Sequence, residues 1–238
     1  RVSVASAGND HRLGANEAPP AIVSIFLSKP VEDLLNNLIS GKPASYVKSG
    51  LTDFGLLSIS ELPKDSSDRN RTSPIAFTGN KFEFRMVGSA DSIAGPNTTL
   101  NAIVAEAFCE AADRLEKAED FEKSLAELIK REVTNHWKII FNGNGYDNSW
   151  IEEAKRRGLL NLGSTPDAME HYLKEKNVKL FTEMGVYTED EMKSHYEIKL
   201  EKYSKMLNIE VNTMVEMIGK DILPNVFKYM KDVGQTVL

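Results

Sequence analysis

A short alternating segment of this chain, NKFEFR at residues 80–85, places three charged side chains on one face of a predicted strand. Alternate residues of a strand point to the same side, so Lys81, Glu83 and Arg85 are expected to lie together. A carboxylate between two cations suits a divalent metal ion or a proton transfer. The plainer interpretation is a solvated face whose ion pairs contribute about 0.5 kcal/mol each.

Arginines in two polar loops favour a binding site over a plain solvated face. The loop residues are Arg12 and Glu17 in the segment GNDHRLGANEAPPA, and Arg69 and Arg71 in the segment DRNRTSP. Guanidinium groups bind planar carboxylates and phosphates through paired hydrogen bonds, so arginines that converge on one cleft predict a site for such anions.

The elements that must position these residues change in character near residue 98. Seven of the nine prolines precede it, among alternating stretches such as AIVSIFL and KFEFRMV that predict strands and structured loops. Beyond it, apolar residues recur at helical spacing, and two stripes, over 100–115 and 121–137, predict helices that face a core. This order of strands followed by helices predicts an α+β fold.

Individual helix starts are predicted from capping residues. They are Ser149 with Glu152 and Thr188 with Glu191, which have the spacing of capping boxes, and Thr165–Pro166, with proline at the first helical position. The last two helices are predicted over residues 189–207 and 208–233.

The composition argues against two classes of protein and indicates a compartment. The net charge is −6, whereas a nucleic-acid binder needs clustered Lys and Arg, and no apolar run approaches the roughly 20 residues of a transmembrane helix. The single cysteine, Cys109, cannot form an internal disulfide, so we expect a cytoplasmic protein in which Cys109 is a buried core thiol. The first and last residues lead us to expect a longer parent protein.

Several ordered blocks resemble the catalytic domain of glutamine synthetase in its large type III form. They are GNDHRLGANEAPPAI, SDRNRTSP, NKFEFRMVGS and IAGPN. The resemblance implies that residues 1–105 are the second half of a catalytic domain, with antiparallel strands of a catalytic funnel, and that residues 106–238 are a mostly helical C-terminal region. It also implies ATP-dependent ligation of ammonia to L-glutamate through a γ-glutamyl phosphate, with Mg²⁺ or Mn²⁺, in a homo-oligomer of stacked rings, a dodecamer.

The same resemblance implies a role for each candidate residue. Arg12 would hold the glutamate substrate, Glu17 would close the site and help to deprotonate ammonium, and Glu83 would be a metal ligand. Arg85 would bind the substrate carboxylate or the phosphoryl group, and Arg71 would bind the phosphates being transferred. Arg69 and Lys81 would bind the nucleotide, and His11 would contact the substrate. The family's N-terminal domain and first catalytic half have no counterpart in these residues, so we expect the chain to be inactive alone.

Two other functions stay open. A different γ-glutamyl amine ligase of the same fold would differ in the amine pocket beside Glu17. A non-catalytic helical assembly module would use the charges on the strand only as surface ion pairs.

Overall fold

Most of the described chain is helical. The computed structural model describes residues 2–4, 6–15, 18–43, 51–52, 62–63 and 72–237. The helices are α1 (Ala7–Arg12), α2 (Lys29–Ile39), α3 (Ala94–Leu115), α4 (Phe121–His136), α5 (Asn148–Arg156), α6 (Thr165–Met169), α7 (Glu175–Glu183), α8 (Glu189–Met217) and α9 (Leu223–Val237). Within these ranges, none of the helices has both the length and the apolar character required to cross a bilayer.

A small mixed sheet lies in the first part of the chain. The strands are β1 (Ile25–Phe26), β2 (Leu51–Thr52), β3 (Leu62–Pro63), β4 (Ile75–Phe77) and β5 (Phe82–Phe84). The sheet has the order β1-β4-β5, while β2 and β3 form a separate antiparallel ribbon. β4 and β5 are antiparallel as expected, but β1 runs parallel to β4. The long connection between β1 and β4, which includes α2, allows this parallel pairing.

The predicted order of strands followed by a mostly helical region is confirmed. The two helical stripes form α3 and α4, and the predicted division between residues 105 and 106 falls within α3, so this division stays a prediction. A π-helical turn, Ile218–Ile222, joins α8 to α9. The predicted break after residue 207 is therefore wrong, because α8 continues to Met217.

Capping residues predicted one helix start correctly and missed the cap of two others. At α8 the capping box is present, since the Glu191 amide donates to Thr188 Oγ1 and the Thr188 amide donates to the Glu191 carboxylate. The Ser149–Glu152 box is wrong, because Asp147 caps α5 by accepting from the Ser149 amide at 2.9 Å. At α6 the cap is Ser164, which leaves proline at the second helical position.

The expectation that the α3 stripe is buried is wrong for much of its length. Only Pro96 and Ala102 are buried on this helix, whereas Ile103 and Phe108 are exposed. Cys109 is exposed as well, so the predicted core thiol is also wrong. The spacing of apolar residues indicated a helix face correctly, but neighbouring elements cover only part of that face.

Two apolar clusters hold the helical region together. The larger joins α3, α6, α7 and α8 through Ala102, Met169, Tyr172, Leu180, Phe181 and Met192. In the smaller, Trp150 of α5 packs with Ile22 and Ala154, and its ring stacks on Phe141 at 3.8 Å. This second cluster attaches the segment before β1 to the helices.

Asn142 makes a polar connection between the same parts. Its Oδ1 accepts hydrogen bonds from the Leu27 and Ser28 amides at 2.8 and 3.0 Å, and its Nδ2 donates to Glu32 Oε2 at 2.7 Å. Ser28 has a positive φ of 73° and makes no side-chain cap for α2. Asn142 therefore supplies the hydrogen-bond acceptor for two backbone amides at the start of α2, where no local side chain caps the helix.

We expect Asn142→Ala to lower the free energy of unfolding by about 1–3 kcal/mol, because two partly buried amides lose their acceptor. Urea denaturation followed by circular dichroism measures this change. Asn144→Ala is the matched control, because the exposed Asn144 side chain accepts a hydrogen bond from the turn amide of Tyr146, and the variant should change stability by less than about 0.5 kcal/mol. Equal stability of the two variants would contradict the role given to Asn142.

Candidate functional site

The short helix α1 carries the first group of site residues. Ser6 caps it by accepting from the Asn9 amide at 3.3 Å, and the chain leaves it through Gly14, whose φ of +84° favours glycine. Asn9 and Arg12, three residues apart, share one face of this helix. Asn9 is buried, whereas Arg12 is half-buried.

Arg12 and Asn9 both bind the backbone that follows β5. Arg12 Nη2 donates to the Met86 carbonyl at 2.7 Å, and Asn9 Nδ2 donates to the same oxygen at 3.1 Å. Arg12 Nε also donates to Asn9 Oδ1 at 3.0 Å, which fixes the two side chains relative to each other. Since Met86 follows Arg85 directly, the structure brings Arg12 to the end of the segment that carries Glu83.

The three charges of the opening segment lie on a common face, as predicted. Glu83 Oε1 lies 3.2 Å from Lys81 Nζ, and Glu83 Oε2 lies 3.0 Å from Arg85 Nη2. The side chains become less exposed along the strand, from 65% for Lys81 to 37% for Glu83 and 12% for Arg85. On the other face Met86 is buried, but Phe82 is 61% exposed, so this strand does not hide all its apolar residues.

Hydrogen bonds from Arg85, and secondarily from Lys81, hold the pKa of Glu83 below its ordinary value of 4.5. Glu83 is therefore a carboxylate near neutral pH, which is the form that a hard cation binds. Among the described residues, no cluster of three His, Cys, Asp or Glu side chains could hold a metal ion. In proteins, Mg²⁺ is commonly bound by one or two carboxylates together with phosphate oxygens and water.

A cavity of about 470 Å³ lies beside Arg12, between α1, the turn at residues 88–91 and α8. Arg12, Lys199 and Lys202 contribute positive charge to its lining, and Asp91 and Glu210 contribute negative charge. Burial, followed by the charge of Lys202, lowers the pKa of Lys199. The cavity therefore combines cationic groups from both parts of the chain.

Asp10 connects α1 to the helical region. Its carboxylate accepts from the Thr165 amide at 2.8 Å and from Thr165 Oγ1 at 3.0 Å, at the start of α6. Thr165 is buried and Asp10 is half-buried, so this contact is partly shielded from water. Helix α1 thus contacts both the strand that carries Glu83 and the C-terminal helices.

Sequence reasoning missed four residues that shape this site: Asn9, Asp10, Lys199 and Lys202. The first two stand within the block GNDHR, where a helix cap at Ser6 and the three-residue spacing from Asn9 to Arg12 could have indicated Asn9. The two lysines lie on α8, and no local pattern connects them with Arg12.

The structure brings some of the predicted site residues together and does not describe others. Arg12, Lys81, Glu83 and Arg85 lie in one region, while His11 is exposed at the end of α1. Glu17, Arg69 and Arg71 lie outside the described residues, and the roles predicted for them stay predictions.

Comparison with known proteins gives a consistent set of similarities. A family model described as the glutamine synthetase C-terminal domain matches residues 124–238. The whole chain is 44% identical over 240 residues to a type-3 glutamine synthetase of Dictyostelium discoideum and 41% identical over 251 residues to a glutamine synthetase of Butyrivibrio fibrisolvens. A glutamine synthetase of Bacteroides fragilis is 36% identical across 96% of the chain. The chain spans about a third of the length of these curated relatives, 32–34%.

The Glu83 carboxyl group should titrate below pH 4.5, and Arg85→Gln should raise its midpoint more than Lys81→Gln does, because Arg85 is the stronger donor. NMR titration of the labelled Glu83 side-chain carboxyl carbon measures both midpoints. A folded-state pKa below the unfolded value means that the ion pairs stabilise the strand above pH 4.5 and lose this effect as pH falls through the folded pKa. A midpoint at or above 4.5 would contradict the geometry.

Proposed function

We propose that this chain, which belongs to the glutamine synthetase family, forms one wall of the active site of a glutamate-ammonia ligase. The observation that supports this most strongly is the placement of Arg12 at the end of the strand bearing Glu83 and Arg85. Three cations and one carboxylate in this arrangement suit a reaction whose substrates are a carboxylate and a nucleotide phosphate. Such a reaction begins with phosphoryl transfer to glutamate.

The proposed reaction has two steps. The γ-phosphoryl group of ATP passes to a γ-carboxylate oxygen of glutamate, which gives ADP and γ-glutamyl phosphate. Ammonia then attacks the γ-carbonyl carbon, the bond to the phosphate oxygen breaks, and glutamine and phosphate leave. The γ-carboxylate is a poor acceptor for ammonia until it is phosphorylated, so the site must hold two anions close together against their mutual repulsion.

Arg12 and Arg85 are suited to overcome this repulsion. Their guanidinium groups are held by the Met86 carbonyl and by the Glu83 carboxylate respectively, so little reorganisation is needed when substrate binds. We assign glutamate to Arg12, and the substrate carboxylate or the transferred phosphoryl group to Arg85. Lys81, the most exposed of the three charged side chains on this strand, would bind the nucleotide phosphates.

Glu83 is the proposed ligand of Mg²⁺ or Mn²⁺. Such an ion, held by Glu83, would offset negative charge on the transferred group. Arg85 and Lys81 keep Glu83 ionised and oriented, because both hydrogen-bond to it. The other roles in this proposal are Glu17 as the residue that closes over ammonium, Arg69 and Arg71 at the phosphates, and His11 near the substrate.

The proposal places this wall in a larger enzyme. The relatives are about three times as long as the chain, so the remaining metal ligands and the nucleotide pocket would come from sequence beyond these residues. We propose a cytoplasmic homo-oligomer of stacked rings, in which residues 1–105 form part of the catalytic funnel and residues 106–238 form the helical C-terminal region.

Glu83→Gln should lower kcat about 100- to 1,000-fold in an ATP-dependent assay of glutamine formation, because the variant keeps the side-chain shape but loses the charge that binds the metal ion. The assay uses the natural protein that carries this chain, and also the chain mixed with the matching N-terminal two thirds of a relative. Glu152→Gln, an exposed glutamate on α5, is the matched control and should stay within about twofold of the unmodified protein.

Alanine replacement of Arg12, Glu83 and Arg85 distinguishes the alternatives. Normal activity in all three variants would contradict the catalytic roles proposed for these residues and favour a helical assembly module. If the unmodified protein ligates a larger amine to glutamate and forms no glutamine from ammonium, it is a different ligase of the same fold.

A further inference from the structure

The side chain of Asn9 is buried beside Arg12 and makes three hydrogen bonds. It is only 2% exposed. Its Nδ2 donates to the Val4 carbonyl at 2.8 Å and to the Met86 carbonyl at 3.1 Å, and its Oδ1 accepts from Arg12 Nε at 3.0 Å. Carbonyl oxygens only accept and the Nε–H of an arginine only donates, so these partners fix which end of the amide faces which neighbour.

The backbone of Asn9 is held as firmly as its side chain. Its amide donates to Ser6 Oγ at 3.3 Å, and its carbonyl accepts from the Leu13 amide at 3.0 Å. Ser6 Oγ in turn donates to Asp91 Oδ2 at 3.1 Å. Asn9 therefore offers Arg12 an acceptor whose position is set by the surrounding structure and not by the arginine itself.

Both groups that hold the guanidinium of Arg12 are neutral. Nε donates to Asn9 Oδ1, and Nη2 donates to the Met86 carbonyl at 2.7 Å. An arginine has five N–H donors, and these bonds use two of them. Within the described residues, three donors and the full positive charge of Arg12 therefore remain for a carboxylate.

Arg85 is held in a different way. Its Nη2 and Nε donate to the Glu83 carboxylate at 3.0 and 3.3 Å, so its acceptor carries a negative charge. A carboxylate orients a guanidinium and also offsets its charge, whereas an amide oxygen orients it and leaves the charge in place. Asn9 thus fixes Arg12 without weakening its attraction for an anion.

We propose that Asn9 is a positioning residue for Arg12, and that its neutral amide sets the affinity of the site for glutamate. This inference rests on the role of Arg12 in the proposed function. Without the Asn9 acceptor, the guanidinium would keep only the Met86 carbonyl, and glutamate would have to order it on binding. That cost is the same in the ground state and the transition state, so it raises KM more than it lowers kcat.

Asn9→Ala in the natural protein that carries this chain tests the inference. The KM for glutamate should rise about tenfold or more, while kcat and the KM for ATP stay within about threefold. Asn177→Ala is the matched control, because this half-buried asparagine of α7 donates to the His171 carbonyl at 2.6 Å, and it should leave the glutamate KM within about twofold. An unchanged glutamate KM in Asn9→Ala would overturn the inference.

A double-mutant cycle separates this inference from the proposed function. If Asn9 acts through Arg12, then adding Asn9→Ala to Arg12→Ala should lower kcat/KM for glutamate by less than about twofold further. A further tenfold loss would show that Asn9 acts independently, which overturns the inference and leaves the role of Arg12 intact. An unchanged kcat/KM in Arg12→Ala alone would instead contradict the proposed role of Arg12, and the inference with it.

Asn9→Asp tests the requirement for a neutral acceptor and leaves no cavity in the buried site. This variant keeps an oxygen beside Arg12 Nε but adds a charge that competes with the substrate carboxylate for the guanidinium. The KM for glutamate should therefore rise about tenfold or more, and thermal unfolding of each variant shows that the assay is made on folded protein. A normal glutamate KM in folded Asn9→Asp would overturn the claim that the neutral amide sets the affinity.

Discussion

The structure depends on the polar contacts of one six-residue helix. On one side of α1, Asn9 and Arg12 donate hydrogen bonds to the Met86 carbonyl at the end of the β5 segment. On another side, Asp10 accepts two hydrogen bonds from Thr165 at the start of α6. Because a buried polar group without its partner is costly, these contacts hold the sheet and the helical region in one relative position. The approach of Arg12 to the backbone that follows β5, and the cavity against α8, both follow from it.

The same contacts bring several cations together on a chain with a net charge of −6. The acidic excess follows residue 98, whereas folding places Lys81 and Arg85 around Glu83, and Arg12, Lys199 and Lys202 around a cavity that Asp91 and Glu210 also line. Net charge therefore describes the protein's solubility and its partners better than it describes this site.

Strand faces and helix starts that have a local sequence pattern could be predicted from the sequence. Contacts between distant segments could not. The alternation of two in NKFEFR correctly predicted a shared face for Lys81, Glu83 and Arg85, and the local spacing of Thr188 and Glu191 correctly predicted the start of α8. The exposure of Cys109, the parallel pairing of β1 and the approach of Lys199 to Arg12 depend on tertiary packing, which no short pattern carries. The π turn was missed because the apolar spacing over residues 208–233 predicted one regular helix through Ile218–Ile222.

A crystal structure of the natural protein with Mn²⁺, glutamate and a non-hydrolysable ATP analogue, with the metal located by anomalous scattering, would show whether Glu83 binds the metal ion. We expect Mn²⁺ in direct contact with a Glu83 oxygen, the glutamate substrate within hydrogen-bond distance of Arg12, and α1 still bonded to the Met86 carbonyl and Thr165. A metal ion bound elsewhere, with Glu83 still contacting only Lys81 and Arg85, would contradict it.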